Sequence, residues 1–155
     1  MQGSYEILKC SELLNTMPET ILERLFSTSN TFKWKAGEII RPEQTEDDEI
    51  FLLIGGQVRS DVLLCNTDQM LGYAIDSAGS LIGLFHFIEA GKYPFTLTAE
   101  TDVEIIAWHA SDFREAIETD PDAAYRTAVY TARELYRKAV TLNTYLLDNV
   151  CWGLP

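Results

Sequence analysis

The spacing of apolar positions changes twice along the chain. Near the start, Ile21, Leu22, Leu25 and Phe26 fall on one face of a helical turn pattern. A short amphipathic helix is expected within residues 11–27, with Pro18 in its first turn. From residue 31 to 109 the pattern shortens. Turn signals recur at Ala36-Gly37, Gly55-Gly56, Asn66-Thr67-Asp68, Asp76-Ser77-Ala78-Gly79, Ala90-Gly91 and Thr101-Asp102. Between them lie runs of strand-forming residues: Ile50 to Ile54, Val58 to Leu64, Met70 to Ile75, Phe95 to Ala99 and Val103 to Trp108. Short strands at such spacing predict a β-sandwich or roll. The acidic stretch Glu43 to Glu49 reads as a solvated loop.

After Trp108 the helical period returns. Ser111 is expected to cap a short helix, with Asp112 in its first turn. Asp120-Pro121-Asp122 starts a longer one, and no Gly or Pro follows until Gly153. Tyr125, Ala128, Ala132, Leu135, Ala139, Leu142 and Leu146 alternate spacings of 3 and 4 along it. That seam serves either a dimer interface or packing on the β-roll. The expected organisation is a β-roll with its N-terminal helix over 1–120, a long dimerisation helix over 121–147, and a tail over 148–155.

Charge narrows the partners. Asp plus Glu number 24 against 12 Lys plus Arg, a net −12. Such a surface repels phosphate backbones, so DNA is expected only through a further domain or a full-length partner chain. No apolar run approaches the roughly 18 residues of a membrane helix, and the N-terminus lacks a signal-peptide pattern. A cytoplasmic protein without membrane contact is expected. Cys10, Cys65 and Cys151 are far apart and form no CxxC pair, which points to reduced thiols rather than zinc or disulfides.

No catalytic residue is singled out. GxSxG, HExxH, P-loop and GxGxxG motifs are all missing. Two histidines, His86 and His109, are too few for a typical multi-His metal site, and both read as structural. A cupin-type metalloenzyme would need a ligand cluster that the sequence does not offer, so no metal and no resident cofactor are expected. The unusual segment is Gly79 to Gly91, an apolar run with Gly83 inside it. A glycine there marks close backbone approach, a bulge or a turn facing a ligand.

Several segments together resemble the effector-sensing domain of the Crp/Fnr family of transcription regulators, over about residues 10–145. They are Lys35-Ala36-Gly37-Glu38-Ile39-Ile40 with Pro42-Glu43, the run Ile50 to Val58 containing Gly55-Gly56-Gln57-Val58, Ser80-Leu81-Ile82-Gly83, and Thr98 to Glu104. Phe113 and Asp120-Pro121-Asp122 are similar to the helices leading into the family's dimerisation helix. The resemblance implies a mainly β α+β fold: a cyclic nucleotide-binding-like double-stranded β-helix, or jelly roll, with flanking helices and a long C-terminal dimerisation helix.

The departures alter the expected ligand. Cyclic-nucleotide binders of the family carry a Glu after the cassette Gly and an Arg followed by Ser or Thr for the phosphate. Leu84 and Tyr93-Pro94 stand near those places here. Charge-assisted hydrogen bonds contribute about 1.5–3 kcal/mol each, so an ordinary cyclic nucleotide is not expected to bind. The cassette looks most like the halorespiration branch, which implies a small aromatic effector. Its pocket would be lined by Leu84, Phe85, Phe87, Tyr93 and Phe95, with backbone N–H groups from Ser80 and Gly83. Helix positions facing the ligand fall on Thr131, Glu134 and Lys138. The winged helix-turn-helix of full-length relatives would begin near Pro155, where this chain stops. The expected function is a homodimeric sensor of a small effector. The alternative is a non-sensing module that homodimerises or pairs with a full-length regulator.

Overall fold

The computed structural model describes residues 5–63, 68 and 70–150. Cys65, Cys151, the end of the expected strand at Leu64, the turn at Asn66-Thr67 and the last residues of the tail lie outside them. A 3₁₀ segment over Tyr5–Cys10 leads through a second over Leu14–Thr16 to α1, Glu19–Thr28. Eight strands follow: β1 Asn30–Trp34, β2 Ile39–Arg41, β3 Glu49–Gly55, β4 Gln57–Leu63, β5 Met70–Ser77, β6 Leu81–Ile82, β7 Thr96–Ala99 and β8 Val103–His109. A single helical turn, α2 Phe85–Ile88, separates β6 from β7. Helices α3, Ala110–Ile117, and α4, Pro121–Val150, complete the chain.

The strands form two four-stranded sheets, ordered β1-β8-β3-β6 and β2-β7-β4-β5, with every pairing antiparallel. β3 explains why they stack as they do. Its run from Ile50 to Leu53 is fully buried on both faces. Successive side chains of a strand point to opposite sides. Ile50 and Leu52 therefore join the helix-side core, with Leu22, Leu25, Ile106, Trp108, Phe113 and Ile117. Phe51 and Leu53 join the core between the sheets, with Ile82, Tyr93, Phe95, Leu97 and Ile105. The first sheet is thus the middle layer of the molecule. Trp108 reaches through the helix-side core, and its indole N–H donates to the Leu25 carbonyl at 2.6 Å. The fold is a mainly β jelly roll with flanking helices and a long C-terminal helix.

Local details correct three expectations. Ser111 does not cap α3. The helix starts two residues earlier, with His109 at the cap position and the Ala110 N–H bonded to the Asp48 carbonyl at 2.8 Å. Pro18 stands at the N-cap of α1, not in its first turn; its carbonyl accepts from the Ile21 and Leu22 N–H groups. The acidic stretch is not wholly solvated. Asp47 and Glu49 are largely covered because both ion-pair with Arg41, whose guanidinium lies 5.1 Å from the Phe51 ring centroid. Asp120 does cap α4, its carboxylate accepting the Asp122 N–H at 3.0 Å. Among the described residues no helix is long and apolar enough to cross a membrane.

Candidate functional site

The segment after β6 is shaped by one glycine. Gly83 has φ of +84°, the left-handed region that side chains disfavour. A Cβ placed there would lie 2.5 Å from the Tyr93 hydroxyl and 2.7 Å from the Glu49 carbonyl. Gly83 thus lets the chain turn from β6 into α2 directly over Tyr93. Arg114 of α3 holds the turn from the other end, donating to the His86 and Phe87 carbonyls at 2.8 and 3.0 Å. The cassette segment is thereby tied to the helices that lead into α4.

Between this segment and α4 lies a cavity of about 30 Å³, lined by Leu81, Gly83, Leu84, Phe85, Phe95, Thr131, Glu134, Leu135 and Lys138. Seven of the ten residues expected at a ligand meet here: Gly83, Leu84, Phe85, Phe95, Thr131, Glu134 and Lys138. Three do not. The Ser80 N–H is taken by the Ser77 carbonyl at 3.1 Å, and its own carbonyl accepts from Leu53, which holds it in the strand turn. Phe87 points to the helix-side core, edge-on to Phe113 with ring centroids 6.4 Å apart. Tyr93 is fully buried behind the cavity, its hydroxyl donating to the Glu49 carbonyl at 2.7 Å. A single helical turn explains the split, because it sends Phe85 and Phe87 to different cores. Leu81 was not expected at the cavity, and Leu135 was assigned to the helix seam. An apolar residue two before the glycine was the available signal for Leu81.

The polar wall comes from α4. Thr131 is buried and donates to the Thr127 carbonyl at 2.8 Å. Glu134 pairs with the exposed Arg137. The Lys138 ammonium lies 2.9 Å from the Asp76 carboxylate of β5 and 5.2 Å from the Phe95 ring centroid. The lining contains no arginine, and Leu84 is nearly fully buried.

Two further polar side chains stand inside the protein. The Ser60 hydroxyl finds no hydrogen-bond partner among the described residues. Neither does either ring nitrogen of His86, which packs beside Phe85 and Tyr93. Burial holds His86 below its ordinary pKa, against the opposing pull of Asp47 and Asp48. His109 instead pairs with Asp48 at the surface. Among the described residues no group of three or more His, Cys, Asp or Glu is placed to hold a metal ion. Burial also pushes the Cys10 thiol up, which disfavours the reactive thiolate.

The expected α4 seam is not uniformly free. Tyr125, Ala132 and Ala139 are exposed, whereas Ala128, Leu142 and Leu146 are half-buried and Leu142 packs against the core between the sheets. Leu135 is 45% exposed while lining the cavity. The exposed large apolar residues follow a neighbouring line through Tyr125, Val129, Tyr136, Val140 and Leu147.

The cyclic nucleotide-binding domain family matches residues 31–120, more than half of the chain. The chain belongs to that family. Solved structures share the domain's fold at low sequence identity. The catabolite activator protein of Thermus thermophilus is 22% identical with a TM-score of 0.69, covering 90% of this chain and 70% of that one. The sensor domain of the transcriptional regulator DNR from Pseudomonas aeruginosa is 12% identical with a TM-score of 0.72, covering 88% and 96%. The regulatory domain of Toxoplasma gondii PKA, solved with cAMP, is 12% identical with a TM-score of 0.72. There the match covers 84% of this chain but only 49% of that one. No curated protein matches the chain by sequence. This cyclic nucleotide-binding domain therefore shares its architecture with both regulator classes, while Leu84 and Lys138 occupy its cavity wall.

Proposed function

We propose that this domain is the effector-sensing unit of a Crp/Fnr-like transcription regulator. The effector enters between the β-roll and α4, and it is not a cyclic nucleotide held by the usual contacts. The observation that carries this reading is the composition of the cavity wall. Phe85, Phe95, Leu81 and Leu84 of the roll face Thr131, Glu134 and Lys138 of α4 across the seam. An apolar wall with a few convergent polar groups is the ordinary make-up of a small-molecule site. A seam serving only to pack would gain stability from apolar side chains instead. The orphaned Ser60 hydroxyl, on the inner face of β4 opposite Leu97 and Ala74, adds a further polar group within the roll.

The same reading has α4 pairing two copies along its exposed apolar line. Binding at the seam then changes how α4 sits on the roll, and through α4 the relation of the two copies. Such coupling requires that the effector contact the two arrangements differently.

The cavity volume of about 30 Å³ favours a second reading, the non-sensing interaction module. That volume is about one water's share of liquid and far below an ordinary ligand site. In this reading Phe85, Tyr93 and Phe95 fill the interior permanently, and α4 only pairs chains.

A thermal-shift panel separates the two. It contains cyclic AMP, cyclic GMP and small aromatic acids, phenols and amines. A compound at 100 times its dissociation constant adds about 2.7 kcal/mol of stability. The sensing reading expects a shift of several degrees with an aromatic compound and none with the nucleotides. A shift with a cyclic nucleotide contradicts the altered-site reading. Silence across the panel with a stable dimer supports the interaction module.

A further inference from the structure

The inference here rests on the effector-sensing reading of the seam and names the chemical class of the ligand. Three polar side chains line the cavity, and their hydrogen bonds are unevenly used. Thr131 spends its hydroxyl proton on the Thr127 carbonyl, so its oxygen can only accept. Glu134 presents a carboxylate whose partner, Arg137, is 59% exposed and therefore screened by solvent. Lys138 is held from both sides. Its ammonium meets the Asp76 carboxylate at 2.9 Å and faces the Phe95 ring at 5.2 Å, and both charged side chains are less than one-fifth exposed.

An ammonium ion thus already occupies a place built for one. A carboxylate beside an aromatic face is how proteins hold such cations. This ammonium is attached to α4 by its own stem, while Asp76 belongs to β5 and Phe95 leads into β7. Around the seam, the Asp76 carboxylate holds the Lys138 ammonium, and the Glu134 carboxylate lines the cavity with Arg137 as its partner. An incoming anion would have to compete with Asp76 for Lys138 while approaching Glu134. An incoming ammonium would meet two carboxylates and an aromatic ring.

We propose that the seam takes a small primary amine with an apolar body, which replaces the Lys138 ammonium at Asp76 and Phe95. Lys138 is then a tethered competitor. Its displacement removes the ion pair joining α4 to β5, so ligand binding loosens α4 from the roll.

The test uses two probes of matched shape, 2-phenylethylammonium and 3-phenylpropionate, titrated calorimetrically into the full chain. The wild type should bind the ammonium about tenfold or more tightly than the carboxylate. Lys138→Ala should bind the ammonium about tenfold more tightly than the wild type, because the competitor is gone. Lys138→Met, which keeps the apolar stem, should do the same if the alanine variant folds poorly. Asp76→Asn should weaken ammonium binding. Preference of the wild type for the carboxylate, with loss of that binding in Lys138→Ala, overturns the inference and leaves the sensing reading standing. Ammonium binding by the Lys138 variants alone also overturns it, since the probe then merely fills the vacated space. Failure of both probes on every variant overturns it too. The sensing reading itself falls only if the wider thermal-shift panel is silent as well.

Discussion

Gly83 carries two constraints at once, its positive φ and the closeness of Tyr93 and Glu49. Gly37 separates them, because its φ is +87° but nothing lies within 4 Å of a Cβ there. Gly37→Ala should cost about 1–2 kcal/mol, the backbone term alone. Gly83→Ala should cost about 3 kcal/mol or more, since a clash with backbone and a buried hydroxyl is added. Urea unfolding of both variants checks the difference, and equal losses would show that the approach to Tyr93 carries no weight. The sequence marked Gly83 as a point of close approach because it interrupts an apolar run. What the glycine approaches was not legible, since Tyr93 is a partner ten residues away across a turn.

His86 makes stability depend on pH. The native ring, buried without a hydrogen-bond partner among the described residues, binds a proton less readily than the unfolded chain, whose value lies near 6.5. As pH falls through that value the unfolded state takes up the proton first. Stability is therefore present above about pH 6.5 and declines below it, by at most about 1.4 kcal/mol per pH unit. His86→Leu should flatten the decline between pH 7 and 5.5 in denaturant titrations. An unchanged slope would assign the acid sensitivity to other groups.

At the scale of elements, legibility followed burial. β3 and β8 are buried on both faces over Ile50–Leu53 and Ile105–Trp108, and these stretches appear as apolar runs, so the strands' positions were read within a residue or two. β1 is exposed along nearly its whole length and β2 is only three residues long, so neither gives a hydrophobic pattern. α2 is a single turn, too short for helical periodicity to register within an apolar run. The start of α4 was legible because Asp120-Pro121-Asp122 encodes it locally. Asp120→Ala should cost about 1 kcal/mol and speed amide exchange in the first turn of α4. Exchange that speeds equally along the whole helix would instead mean that packing on the roll, not the cap, holds its start. The seam was less legible because α4 serves two neighbours. Leu135 and Leu142 turn toward the roll, and the free apolar line is shifted to Val129, Tyr136, Val140 and Leu147.

For the whole molecule, charge and that free line act against each other. Each chain carries a net −12, so two copies repel while the α4 stripe offers apolar surface. Dimerisation, if α4 drives it, should strengthen with added salt as the repulsion is screened. Tyr136 is 71% exposed, so Tyr136→Glu should shift the molecule to monomer at tens of micromolar in sedimentation velocity, with little loss of stability. A wild type that is already monomeric there would contradict pairing through α4. The candidate site was partly legible because the order of short motifs resembled the Crp/Fnr sensor. The small cavity and the Asp76 partner of Lys138 were not, since both depend on where α4 lands on the roll.

The most direct test of an effector site with altered chemistry is an amide NMR titration of the full chain, using aromatic ligands and cyclic AMP in parallel. The account predicts that an aromatic ligand moves resonances of Leu81 to Phe85, Phe95 and Thr131 to Lys138 together, while cyclic AMP moves none of them. Shifts at those positions with cyclic AMP, or stillness there with every aromatic ligand, would contradict it.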